Sequence, residues 1–67
     1  MIPWEKHCLD NAEYFTAIRG RKPSDRIRKV FNTLDDAVSY ANNNFDDGRT
    51  MIYAVTATGS HAHLQNA

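Results

Sequence analysis

The run TLDDAVSYANNNF, from Thr33 to Phe45, constrains this chain more than any other stretch, because its residue order suits one backbone state. Thr33 is a good helix N-cap, and Asp36 stands three residues later, the spacing of a capping box with aspartate in place of glutamate. Asp35 and Asp36 fall in the first turn, where carboxylates favour the positive end of the helix dipole. Leu34, Ala37, Val38, Ala41 and Phe45 then recur at helical spacing, which gathers them on one stripe. That stripe needs a cover. The asparagines that follow, with Asp46, Asp47 and Gly48, stop the helix and turn the chain.

The flanking segments alternate with period two, which predicts that the cover is a sheet. Tyr14 to Arg19 is aromatic and β-branched, with Phe15 and Ala17 on one face and Tyr14, Thr16 and Ile18 on the other. Gly20 to Asp25 supplies turn formers for an exposed hairpin loop. Ile27 to Phe31 then returns as an edge strand, with Ile27, Lys29 and Phe31 sharing one face and Arg28 and Val30 the other. From Thr50 to Thr58 the alternation resumes, with Met51, Tyr53, Val55 and Ala57 opposite Ile52, Ala54 and Thr56. Both faces are largely apolar, as in a central strand. Thr58 and Gly59 form a tight turn in this reading, and Ser60 to Leu64 comes back as a short final strand. The expected fold is therefore α+β: a single helix packed on a three- to four-stranded antiparallel sheet, in ββαβ order with a short last strand. Residues 1–13 admit two readings, a short helix with Pro3 in its first turn or an extended arm whose Trp4 tucks into the core. The arm is preferred.

A chain of 67 residues has room for one core, so residues 1–67 are read as one small domain. With 42% hydrophobic and 24% charged residues it has the composition of a folding sequence rather than a disordered one. Cys8 is its one cysteine and has no intrachain partner, which favours a reducing, cytoplasmic setting. There is no apolar run of membrane-spanning length and no signal-peptide layout at the N-terminus, so no membrane is expected; the chain reads as a complete small gene product.

Formal net charge is zero, yet Arg19, Arg21, Lys22, Arg26, Arg28 and Lys29 place six of the eight basic residues in one short segment. Such a cluster on a hairpin would neutralise phosphates or steer an acidic protein surface, or simply protect an edge strand from aggregation. No nucleic-acid signature accompanies it, and the isoelectric point of about 6.8 is low for a dedicated binder. His61 and His63, two apart on a strand, share a face and would chelate a metal only with a third ligand such as His7 or Cys8; no zinc spacing is present, and no metal or other cofactor is expected. Cys8 beside His7 lacks the placed base and orienting group of a thiol catalyst, and no phosphate loop occurs, so no catalytic residue is assigned. Trp4, Tyr14, Tyr40 and Tyr53 cannot all be core in so small a protein, and such residues are common interface anchors. Tyr40 falls on the shoulder of the helix stripe.

The stretch from Phe31 to Leu64, with FNTLDDAVSYAN and then GRTMIYAVTATGSHAHL, resembles a class of small uncharacterised bacterial and phage proteins in which a capped helix, a glycine turn and a long apolar strand follow one another. More loosely, the layout is similar to short phage-encoded inhibitors of host machinery. The resemblance covers about half the chain, rests on helix-to-strand order, and transfers no site. Together these readings predict a small non-enzymatic regulatory or inhibitory module that binds another protein. The alternative is a nucleic-acid-binding protein that uses the basic hairpin of residues 19–29. Self-association through a free sheet edge would give a homodimer.

Overall fold

In a computed structural model of the protein, which describes residues 2–67, the elements follow in the order α1 (Pro3–Asp10), β1 (Ala12–Arg19), β2 (Ile27–Phe31), α2 (Leu34–Asn44), β3 (Met51–Thr56) and β4 (His61–Asn66). The strands form one antiparallel sheet in the order β2-β1-β3-β4. The α+β class, the ββαββ order and the central place of β3 agree with the sequence. Because β2 and β3 both run antiparallel to β1, they point the same way, and α2 makes the crossover between them over β1.

Local chemistry sets the ends of α2. The Asp36 N–H donates to Thr33 Oγ1 over 3.1 Å, which satisfies one of the free donors at the helix start. At the other end the Phe45 and Asp46 N–H groups both donate to the Ala41 carbonyl, and Asp46 takes a left-handed backbone. Between these caps the predicted stripe meets the sheet. Ala37 and Ala41 are fully buried, and Leu34 and Val38 pack beside them.

The sheet presents Phe15 and Ala17 of β1, Ile52 and Ala54 of β3 and Ala62 of β4 to this side. Alanine thus occurs on both sides of the helix–sheet contact, so backbone can approach backbone with little between. Ile52 is the largest fully buried side chain and contributes about 1.5–3 kcal/mol by leaving water.

The N-terminal segment corrects one expectation. Residues Pro3–Asp10 are helical, not an extended arm, and the sheet therefore carries two helices instead of one. Pro3 occupies the first turn, Lys6 pairs with Asp10 one turn on at 3.2 Å, and Asn11 closes the C-terminus through its backbone N–H and side-chain amide, both donating to the His7 carbonyl. A helix of eight residues has little stability of its own. Cys8, fully buried, and Leu9 supply the rest by joining the core cluster. Trp4 does not enter the core: it is 49% exposed and its indole N–H donates to the His61 carbonyl at 3.1 Å.

Strand ends also differ from the expected bounds: β1 begins at Ala12 rather than Tyr14, and β3 and β4 each start one residue later, at Met51 and His61. β3 stops at Thr56, with Ala57 and Thr58 in the turn, because the Thr56 N–H already donates to the Ser60 carbonyl and closes the hairpin. β4 runs past Leu64 to Asn66, since Thr50 and Ala67 exchange both backbone hydrogen bonds and hold the last residues against β3.

Small side chains at the helix–sheet contact leave no room for larger ones. Ala41→Leu is expected to lower unfolding free energy by about 1–3 kcal/mol through overpacking, and Thr33→Ala by about 1 kcal/mol through the lost cap; urea denaturation followed by circular dichroism measures both.

Candidate functional site

Both helices pack into one core cluster on one face of the sheet, which leaves the other face without a helix over it among the described residues. The strand residues that alternate away from the helices are Tyr14, Thr16 and Ile18 of β1, Arg28 and Val30 of β2, Met51, Tyr53 and Val55 of β3, and His61 and His63 of β4. None is a carboxylate. Tyr53 stands near the centre, paired with Thr16 on one side and His63 on the other. The rings of His61 and His63 lie 5.8 and 5.4 Å from its centroid, and its hydroxyl donates to Met51 Sδ at 3.8 Å. A shallow pocket of about 290 Å3 opens among Thr16, Ile18, Arg28, Tyr53, Val55 and His61. Its floor is apolar, and Arg28 adds a cation. Val30, 54% exposed on the edge strand, extends the apolar surface outward.

Beyond Arg28 the hairpin loop presents Arg21, Lys22 and Arg26, all exposed. A single 3-10 turn, Pro23–Asp25, shapes this loop, with the Asp25 N–H donating to the Lys22 carbonyl. Gly20 makes the loop feasible: its φ is +123°, and a Cβ there would come within 2.8 Å of the Arg26 Cα and the Asp25 carbonyl oxygen.

The structure separates residues that are neighbours in sequence. Arg19 is engaged elsewhere. Its guanidinium donates to both carboxylate oxygens of Asp47, at 2.7 and 2.5 Å, and lies 4.1 Å from the centroid of Phe45. Lys29 sits on the helix side of β2, opposite Ala17, and not beside Arg28. Among the aromatic candidates, Tyr14 and Tyr53 are on the helix-free face. Tyr40 is partly buried between the rings of Phe31 and Phe45, at 5.3 and 6.1 Å, so it seals the margin of the core. Trp4 stacks on His7 at 5.8 Å by the β4 side of the molecule.

His61 and His63 do share a face, but the third ligand is not delivered. Cys8 is in the core, His7 lies against Trp4 and Asn11, and among the described residues no group of three or more His, Cys, Asp or Glu side chains is arranged to hold a metal ion. The residues that sequence reasoning left out of the site are Ile18, Val30, Met51, Val55 and the two histidines as flanks of Tyr53. The signal for Met51 and Val55 was present as alternation in β3, where both faces are apolar, and for Ile18 and Val30 as the same two-residue period in β1 and β2. No helix among the described residues is long and apolar enough to cross a membrane. No family model, curated protein or solved structure matches the chain.

The Arg19–Asp47 pair gives the stability of the fold a pH signature. Hydrogen bonding from Arg19, joined by the Arg49 N–H and by the nearby guanidinium charges, lowers the Asp47 pKa to about 2 against the opposing effect of desolvation. A carboxyl held below its unfolded value stabilises the fold above that value, near 3.8, and loses its contribution as pH falls toward 2. Asp47→Asn should therefore melt below the parent at pH 7, with the difference shrinking between about pH 5 and pH 2. Thermal unfolding at a series of pH values checks this, and a difference independent of pH would contradict it.

Proposed function

We propose that this chain is a small non-enzymatic binding module, regulatory or inhibitory in role, that takes an acidic surface of another protein on the helix-free face of its sheet. The observation that carries the reading is the composition of that face. It has an aromatic and aliphatic centre whose named strand residues include no carboxylate, and a margin at Arg28 and the hairpin loop where four cations, Arg21, Lys22, Arg26 and Arg28, outnumber the single carboxylate of Asp25. Apolar anchors in the middle with charges at the rim are the common anatomy of protein interfaces, where the rim governs encounter and register.

The chemistry favours a protein over nucleic acid. Ile18, Val30 and Met51 offer contact area to apolar side chains and nothing specific to bases, and a chain of zero formal net charge has a weak overall field for phosphate. It also favours a different protein over a second copy. Pairing two β2 edges in an antiparallel register centred on Arg28 or Lys29 sets like charges directly opposite each other, which is destabilising. A phage-type inhibitor of host machinery would be one instance of such a module. The nucleic-acid reading draws on one further observation: Arg21, Lys22, Arg26 and Arg28 have no carboxylate partner among the ion pairs of the described residues.

The test is to identify a partner by affinity capture and mass spectrometry, reconstitute the complex from purified proteins, and compare variants by surface plasmon resonance. Tyr53→Ala is expected to weaken binding at least tenfold through a slower-forming, faster-breaking centre. Arg28→Glu should lower the association rate and its salt dependence. Tyr40→Phe, away from this face, should change neither. If the partner binds all three variants as it binds the parent, the face is not the interface. If an oligonucleotide is retained instead, with affinity falling steeply in salt and lost in Arg21→Ala/Lys22→Ala/Arg26→Ala, the nucleic-acid reading replaces this one.

A further inference from the structure

A second concavity lies at the end of the sheet, where β1 passes into the hairpin loop and β3 begins. It has a volume of about 500 Å3 and is lined by Arg19, Arg21, Gly48, Arg49, Met51 and Asn66 together with Gly20. This is within the usual range for small-molecule sites, roughly 300–1,000 Å3. Its charge is not what the residue names suggest. Arg19 is neutralised by Asp47, which grips it through both oxygens and also accepts the Arg49 N–H at 3.1 Å. That arrangement is a fixed wall, held further by Phe45 beneath the guanidinium. Arg21 and Arg49 are exposed and make no ion pair among the described residues; the Arg49 charge reaches Asp47 without pairing with it, and with three arginines against one aspartate the cleft stays positive.

The remaining walls suit a ligand with an anionic head and a compact body. Gly48 has a φ of +71°, and a Cβ built on it would meet nothing within 4 Å, so a bare stretch of turn backbone faces open space. Met51 contributes a polarizable thioether at the border with the helix-free face, and Asn66 an amide. Guanidinium groups bind phosphate oxygens with paired, charge-assisted hydrogen bonds, and two of them match the charge of a phosphate monoester, close to −2 at neutral pH.

From this juxtaposition of Arg21 and Arg49 across a glycine turn, with Met51 beside them, we infer that the cleft binds a phosphate monoester of a small organic molecule, the phosphate on the arginines and the organic group against Met51. The site adjoins the helix-free face and shares Met51 with it, but Arg21 and Arg49, which carry the proposal, are not among the residues of that face.

Phenyl phosphate is the probe, with inorganic phosphate and phenol as its two halves. In amide-resolved NMR titrations, phenyl phosphate is expected to give saturable shifts at Gly48, Arg49, Met51 and Asn66, and to bind more tightly than inorganic phosphate; phenol alone should give none there. Arg21→Gln and Arg49→Gln should each weaken binding about tenfold, the loss of one charge-assisted bond. Lys22→Gln and Arg26→Gln, outside the cleft, should leave it unchanged. Shifts that never saturate, or that fall equally in the Lys22 and Arg26 variants, would mean general counterion attraction and overturn the site. The titration of the parent protein decides the matter even if a variant fails to fold, and its outcome is read at residues other than the Tyr53 and Arg28 that test the sheet face.

Discussion

The contact between α2 and the sheet is made by small side chains on both partners, and the arrangement of the whole molecule follows from it. Ala37 and Ala41 are fully buried on the helix, and Ala17 and Ala54 on the strands beneath. Close approach of this kind leaves space on the same side for a second, shorter helix, and α1 occupies it by lowering Cys8 and Leu9 into the same cluster. Two short helices and four strands make two layers, with one core between them. The described residues form no third layer. The opposite face of the sheet is consequently finished by strand side chains alone, and these include Tyr53, Met51, Val55 and Ile18 where an all-soluble face would carry polar residues.

The loop from α2 to β3 is the second fixed point. Its course depends on left-handed backbone at Asp46 and Gly48 and on the Arg19 guanidinium, which draws in Asp47 by hydrogen bonds and Phe45 by its ring. The pair is only partly exposed, at 25% and 35% for the two side chains, and it joins residues 28 positions apart. It also redistributes charge. One arginine leaves the basic cluster, one aspartate leaves the acidic group, and what remains positive is the hairpin loop, Arg28, and the pair Arg21 and Arg49 across the cleft.

Zero net charge therefore describes the electrostatics poorly. Lys6 pairs with Asp10 on α1 and Asp35 and Asp36 sit at the start of α2, all on helices, while the strand residues of the helix-free face hold Arg28 and two imidazoles without a carboxylate, and the hairpin margin sets Arg21, Lys22 and Arg26 against Asp25 alone. A partner approaching that face meets a local positive field over an apolar centre. The same separation explains why the two concave sites differ in character: one is floored by Ile18, Tyr53 and Val55, the other walled by arginines and turn backbone.

The cap at Thr33, the stripe from Leu34 to Phe45, the hairpin at Gly20 to Asp25, and the opposite faces of Tyr14 to Ile18 and Met51 to Val55 were all legible in the residues, because each depends on interactions within one or two turns or on the strict two-residue period of a strand. Four things depended on tertiary contact. Whether residues 3–10 coil or extend turns on burial of Cys8 and Leu9, since a segment so short has no decisive preference of its own. Which of two apolar faces of β3 is covered turns on where the helices land, and both faces look alike along the chain. Whether Arg19 is free or engaged turns on a loop far away in sequence. The separation of Lys29 from Arg28 across the sheet follows from the pleat, yet its consequence for the site appears only once one face is known to be bare. Sequence alone thus settled the elements and their order through local periodicity and capping; only the packed structure decided which surface stayed open and which charges remained unpaired, because those outcomes are set by groups that meet across the fold.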